Sequence, residues 1–442
     1  MNWKKIAQLA CVHVGVSITV VPVTSTLNRV MIADMHLSAT LVALLVALPY
    51  LLSPIQVAVG SWSDQYTLWG RHRSPWIVIG GLMAGFGSYL TAHSAYLLYD
   101  RFGLGLVVAI GAFLLWGIGV NVASVSYLSL VTDLTEGEEG WRSRAVSVMW
   151  TAMILSTIVV SLLIAKALQP FTDMLAAPGE AALYNAFGAV WLITCVLILV
   201  GAGRLEDAPE RDQPQRHNSA DNPLSAYRLL SINPAARRFF VYLVLVLVSI
   251  HAQDVLLEPF AAEAFALPVA VTSRLTAIWG VGILLGLTAG LPIMRRMGKK
   301  RTANGGALVA ASAFGAIIIA GVAHWQALFM ATVFVLGCGG GLMTVSNLSF
   351  MLDMTVPQAA GLYMGAWGVA NFAGQAVGGI SSGIIRDLML GITGNSLVGY
   401  YTVFGLEVVG LLVAVWLFRR ITVEEFRREA TVQLHDLLAL VN

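Results

Sequence analysis

Charge is what this sequence has least of. Lys and Arg number 26 and Asp and Glu 24 in 442 residues, 11% of the chain, against 57% hydrophobic residues and a mean hydropathy of +0.78. An ordinary soluble domain carries about a quarter charged residues, and a disordered chain combines low hydrophobicity with high net charge, so both classes are excluded. The net charge of +2 leaves no field for a polyanion, which removes nucleic acid as a partner. Cysteine is nearly absent: Cys11, Cys195 and Cys338 each lie inside an apolar run, where a thiol behaves as a small hydrophobe, and no disulfide framework follows. No Gly-x4-Gly-Lys-[Ser/Thr] stretch occurs, so no ATP site of that type is expected. The histidines show no His-x3-His spacing and the cysteines no Cys-x2-Cys, which argues against a metal site. Nothing points to a catalytic triad or a soluble oxidoreductase, and the chain reads as a non-enzyme.

What the sequence does have is long apolar runs separated by short polar punctuation, the pattern a hydrocarbon core about 30 Å thick selects. Twelve membrane helices are expected, at 6–33, 39–60, 75–98, 104–133, 145–168, 183–203, 238–260, 271–294, 303–323, 326–353, 361–386 and 397–418. We number them spans 1 to 12. Between spans 6 and 7 the polar stretch from Arg204 to Arg238 lacks apolar periodicity and reads as a linker. The expected organisation is a six-helix bundle at 1–203, a cytoplasmic linker at 204–237, a second bundle at 238–420 and a cytoplasmic tail at 421–442. In that tail Leu434, Leu437, Leu438 and Val441 have amphipathic helical spacing. With the N-terminus cytoplasmic, 21 Lys and Arg fall on the cytoplasmic side and five on the other, so both termini are expected inside. The first apolar stretch is too long for a signal-peptide core and has no small-residue cleavage site before Pro22, so it is expected to be retained.

An internal repeat supports two related halves. Gly117, Gly119, Val125, Ser126, Leu128, Ser129, Asp133 and Thr135 recur as Gly337, Gly339, Val345, Ser346, Leu348, Ser349, Asp353 and Thr355, a constant offset that lays span 4 on span 10. A second related pair follows spans 2 and 8: Gly60 to Asp64 with Gly70-Arg71-His72-Arg73, and Gly290 to Arg296 with Gly298-Lys299-Lys300. These resemble the loop motif of the major facilitator superfamily. They depart from it where Asp64 is not followed by Arg and where Met294 stands in place of an acid. The resemblance implies an all-α membrane protein of two six-helix bundles, with a groove at lipid level.

Ionisable residues inside a bilayer are costly and are functional candidates by default. The densest group is His251, Gln253, Asp254 and Glu258 in span 7, ahead of Pro259. On a continuous helix Asp254 and Glu258 share a face, roughly 24 and 30 Å along from Arg238, towards the outer surface. Asn28 and Arg29 in span 1 lie at similar depth, and Arg29 is expected to meet Asp254 or Glu258 and hold the outer end shut in one state. On the inner side Asp133 and Asp353 end the repeated helices near Arg142, Arg144 and the basic run from Arg295 to Arg301, where they are either candidate switch carboxylates or plain solvated ends; Asp64 and Arg71 are further gating candidates. The small-residue rows Gly282, Gly286, Gly290 and Gly374, Gly378 read as close helix packing.

Two stretches narrow the reading. Thr26-Leu-Asn-Arg-Val-Met-Ile32 in span 1 and Gln253-Asp-Val-Leu-Leu-Glu-Pro-Phe260 in span 7 resemble signature segments of the PucC/LhaA-type, or bacteriochlorophyll delivery, family of the major facilitator superfamily. The resemblance implies assembly of light-harvesting or reaction-centre complexes in a bacterial inner membrane, with bacteriochlorophyll or chlorophyll as cargo. Antenna or reaction-centre polypeptides are the implied partners besides the lipid bilayer, together with pigment-synthesis enzymes. Such a cargo needs an axial donor for its magnesium and an apolar groove for its ring and tail. His251 and His13 are the candidate donors; Gln253, Asn121, Asn347, Asn371 and Gln375 are candidates for its carbonyls or, equally, for interhelical hydrogen bonds. Two other functions fit the same sequence: a pigment-free antenna chaperone, and a proton-coupled small-solute porter using Asp254 or Glu258.

Overall fold

Apolar runs of this length satisfy their backbone polar groups only as helices inside a bilayer. The computed structural model describes residues 2–135, 137–203, 205–206, 233–355 and 360–432, and every named element among them is helical. Eleven described helices are long and apolar enough to cross a membrane: Trp3–Asp34, Ser74–Asp100, Phe102–Leu134, Gly140–Leu168, Ala177–Ala202, Pro234–Asp254, Val269–Met297, Lys299–Val322, Gln326–Asp353, Tyr363–Thr393 and Ser396–Phe418. They are span 1 and spans 3 to 12. Large apolar side chains on their outer faces stay exposed, such as Val107, Leu163, Leu192, Val196, Ile319 and Val409, which is the surface hydrocarbon tails cover. This is a multi-pass membrane protein.

The twelfth crossing, span 2, is cut into Ala39–Val46, Leu48–Leu51 and Ile55–Gln65. Pro49 and Pro54 are the reason, since neither has an N–H to continue the ladder. Ser53 turns back to the Tyr50 carbonyl, and Asn121 of span 4 donates to the Pro49 carbonyl at 2.8 Å. Span 1 is also irregular. After Trp3–Ser17 it widens into π turns at Pro22–Leu27 and Val30–Asp34, the segment that carries Asn28 and Arg29.

By packing, the chain forms two compact units: 1–215 with Val255–Ala277, and 216–254 with 278–442. The C-terminal end of span 7, the turn after it and the start of span 8 thus belong with the N-terminal helices. In the first unit spans 3 and 4 lie backbone against backbone: a Cβ on Gly80 or Gly119 would overlap main-chain atoms of the partner helix. In the second unit Gly282 and Gly286 of span 8 face Phe334, Gly337, Cys338 and Gly341 of span 10 in the same way, and Gly306 meets Gly339. The small-residue rows are therefore contact faces. Phe239, Tyr242, Phe350, Trp367 and Phe418 interlock near the inner end of this unit.

Most of the linker and the amphipathic pattern at Leu434, Leu437, Leu438 and Val441 lie outside the described residues, as does the side chain of Asp64.

Candidate functional site

Span 7 sets the chemistry of both units because it is broken. Its regular helix Pro234–His251 tightens to a 3-10 turn at Ala252–Asp254 and resumes only at Leu257–Phe265. Pro259 cannot donate to the carbonyl four residues back, that of Val255. Asn28 replaces it: its Nδ2 donates to the Val255 carbonyl at 3.2 Å. The continuous helix expected to carry Asp254 and Glu258 one turn apart is thus interrupted between them. Asp254 falls in the second unit and Glu258 in the first.

In the first unit the polar residues of span 1 tie down the outer 7–8 segment. Thr26 bonds Ser273 hydroxyl to hydroxyl at 3.0 Å, Arg29 donates to the Leu267 carbonyl at 3.2 Å, and Ser161 donates to the Ser273 carbonyl. Glu258, buried, accepts from the Thr276 hydroxyl at 3.0 Å. Arg29 is buried too, and the carboxylate it engages is Asp34, five residues on along its own span. That corrects the expected pairing of Arg29 with Asp254 or Glu258: the π turns bring residue 34 beneath residue 29, and a partner on the same helix requires no gate.

Asn121 is a structural hydrogen-bonding residue. It donates to the Pro49 and Gly117 carbonyls, both at 2.8 Å, and accepts from Gln56 at 2.6 Å, so its side chain is committed to mending span 2. His13 is 4% exposed, with Tyr127 and Trp150 centred 5.1 and 5.7 Å from its ring, and its Nδ1 has no hydrogen-bond partner. Enclosed by rings on two sides, it leaves no room for a macrocycle to approach.

The second unit holds the accessible polar cluster. His251 Nδ1 and Asp254 Oδ2 are 2.7 Å apart, and Gln253 Nε2 donates to the other Asp254 oxygen. A carboxylate on Nδ1 fixes the imidazole tautomer and leaves Nε2 as the free lone pair, the arrangement a metal-binding histidine needs. The His251 side chain is 25% exposed. Asn371 is exposed and accepts from the half-buried Gln375 Nε2 at 2.6 Å, one turn away on span 11. Asn347 is buried, bonded to the Tyr242 hydroxyl at 2.9 Å. Gly374 and Gly378 of span 11 lie against Leu247, Val248 and Ala252, and Gly410 of span 12 against Ser249, so span 7 is wedged tightly between those two helices.

That wedge exposes a residue the sequence reading missed. Glu407 of span 12 is 2% exposed, its two oxygens lack a hydrogen-bond partner, and it lies within electrostatic reach of Asp254. The signal was present: Glu407 is the sole acidic or basic residue in the run Ser396–Phe418.

At the C-terminal ends of spans 4 and 10 the repeat is reproduced in chemistry. Asp133 accepts from Arg73 Nε at 3.2 Å and Asp353 from Lys299 Nζ at 2.7 Å, each carboxylate bonding the basic residue at the start of the preceding helix, span 3 or span 9. Arg142, expected near Asp133, donates to Thr135, two residues further on, at 3.1 Å. Arg71 serves through its backbone, which pairs with Leu68 around the left-handed Gly70, φ +70°. Glu206, after span 6, accepts backbone N–H groups of His72, Arg73 and Ser74 at 2.8 to 3.0 Å and so caps the start of span 3.

The family model for PUCC protein matches residues 26–426. This chain belongs to the PUCC protein family. Among PucC relatives, Protein PucC of Rhodobacter capsulatus is 28% identical over 428 residues, covering 93% of this chain and 90% of its own. A Rhodobacter capsulatus protein called Bacteriochlorophyll synthase 44.5 kDa chain is 29% identical over 400 residues, covering 88% and 89%. Among solved structures, the nucleoside transporter NupG (D323A mutant) superposes with a TM-score of 0.70 at 15% identity over 95% of this chain and 100% of its own. The D-xylose-proton symporter gives 0.68 at 14% identity over 95% and 97%. At such identities these two likenesses define the fold: this PUCC protein has the major facilitator fold.

Proposed function

We propose that this PUCC protein binds bacteriochlorophyll, or a close tetrapyrrole, within a bacterial inner membrane and hands it to antenna or reaction-centre polypeptides, without making or breaking covalent bonds. The observation that carries the reading is the family match across residues 26–426, together with a relative whose name ties it to bacteriochlorophyll. The geometry of span 7 supports it. His251, its Nδ1 bonded to Asp254, would offer Nε2 to the magnesium of the cargo, beside the break in an apolar span. Asn371, exposed, and Gln375, half-buried, are the amides suited to the carbonyls at the ring's edge. His13, enclosed by Tyr127 and Trp150, is not assigned a ligand role.

The test is purification from pigmented membranes. Bound pigment with a shifted absorption band, lost in His251→Ala and retained in His13→Ala, is expected. Colourless protein that still captures antenna polypeptides would replace carriage with a pigment-free chaperone. A deletion strain with normal antenna absorption and a lost nutrient uptake would replace both with a solute porter.

A further inference from the structure

Glu407 has no part in cargo binding as proposed, yet it is the most conspicuous charge problem in the second unit. It sits near the middle of the span Ser396–Phe418, 2% exposed, eleven residues from either end. Neither oxygen has a hydrogen-bond partner. The Gln253 backbone N–H approaches the carboxyl without meeting hydrogen-bond distance and angle, and the charge nearest in effect is the like charge of Asp254.

Among the described residues, the elements packed against span 12 bring no compensating cation to this point. Span 7 contributes Asp254, which is bonded to His251 and Gln253, and its arginines, Arg237 and Arg238, lie at the cytoplasmic end. Span 9 has its ionisable groups, Lys299, Lys300 and Arg301, at the same end, where Lys300 donates to the Arg419 and Ile421 carbonyls. Span 11 brings Arg386 and Asp387, which bond each other beside Gly399 and Tyr400, about two turns beyond the level of Gly378. Tyr363 is near its inner end. On span 12 itself Tyr400 and Tyr401 lie towards the outer end. No described cation faces Glu407.

Transferring an unpaired carboxylate from water into such surroundings costs several kcal/mol by order of magnitude, so the group takes up a proton instead. Of two neighbouring carboxyl groups, the one with donors keeps the negative charge and the one without keeps the proton. We propose that Glu407 is a proton-binding site of the second unit, a neutral carboxylic acid in this arrangement and a carboxylate only when water reaches it. On release the O–H bond of the carboxyl breaks, the proton passes to that water and the carboxylate remains; nothing is oxidised or reduced. The site is independent of cargo identity and holds for a pigment carrier or a solute porter alike.

Infrared spectroscopy of the full chain in lipid nanodiscs tests this. At neutral pH the wild type is expected to show the C=O stretch of a protonated carboxyl that shifts on exchange into deuterium oxide, and Glu407→Gln and Glu407→Leu are each expected to lose one carboxyl's share of it. A wild-type spectrum without that band at neutral pH overturns the proposal, even if neither variant folds. Folded variants that keep its full intensity overturn it as well. Pigment binding by Glu407→Gln is a separate readout, so failure of the cargo assignment leaves this result interpretable.

Discussion

The bond from Asn28 to the Val255 carbonyl exists because Pro259 cannot make it, and that dependence can be measured. Replacing Asn28 by Leu leaves a buried carbonyl without that donor, at a cost of about 1–3 kcal/mol in a water-excluded site. Interhelical hydrogen bonds in membranes average only about 0.6 kcal/mol with a maximum of about 1.7, so we expect about 1–2 kcal/mol. Asn28 makes further contacts, and the single variant therefore does not isolate this bond. The double-mutant cycle with Pro259→Ala does. Alanine restores an N–H at 259, the helix can close on the Val255 carbonyl, and Asn28→Leu should then cost less by about 1 kcal/mol. The assay is reversible unfolding in mixed micelles followed by far-ultraviolet circular dichroism, with all four proteins in one detergent. An equal cost of Asn28→Leu in both backgrounds would refute the idea that Asn28 repairs the proline break.

Three further outcomes follow from the geometry. Gly286→Val should prevent stable folding, because a side chain there would overlap the Cys338 carbonyl, whereas Gly315→Ala, with open space around it, should shift the unfolding midpoint hardly at all. Asn121→Ala should destabilise by about 1–3 kcal/mol through orphaned carbonyls without changing bound-pigment stoichiometry, while Asn371→Ala should change pigment retention with stability within about 0.5 kcal/mol; the reverse pattern would exchange their roles. Glu206→Gln weakens an anion at the start of span 3 and should cost about 1 kcal/mol, with a smaller loss at high salt, measured by the same unfolding assay.

Much of the architecture was legible because a bilayer admits so few solutions. Apolar length alone located the spans, and identical residues at a fixed offset placed span 4 on span 10; Asp133 and Asp353 then proved to bond the bases of spans 3 and 9 in parallel fashion. Glycines at four-residue spacing announced helix contacts that the backbones do make. Partner choice was less legible. Arg29 was matched to a carboxylate at equal depth, yet the wide turns of span 1 bring Asp34 to it at lower entropic cost. Glu407 was visible as a lone acid in an apolar run, but its significance required knowing that Gly374, Gly378 and Gly410 let span 7 close in beside it.

The sequence by itself determined a membrane-embedded, all-helical chain with a duplicated plan, since hydropathy and spacing are properties of the chain as written. Only the tertiary structure decided that span 7 breaks at Asp254, that its outer piece packs with the N-terminal helices, and which polar groups are used up in holding the fold. The physical reason is that a hydrogen bond or an uncompensated charge depends on angstrom-scale neighbours, and neighbours hundreds of residues apart are assigned by packing, not by order along the chain.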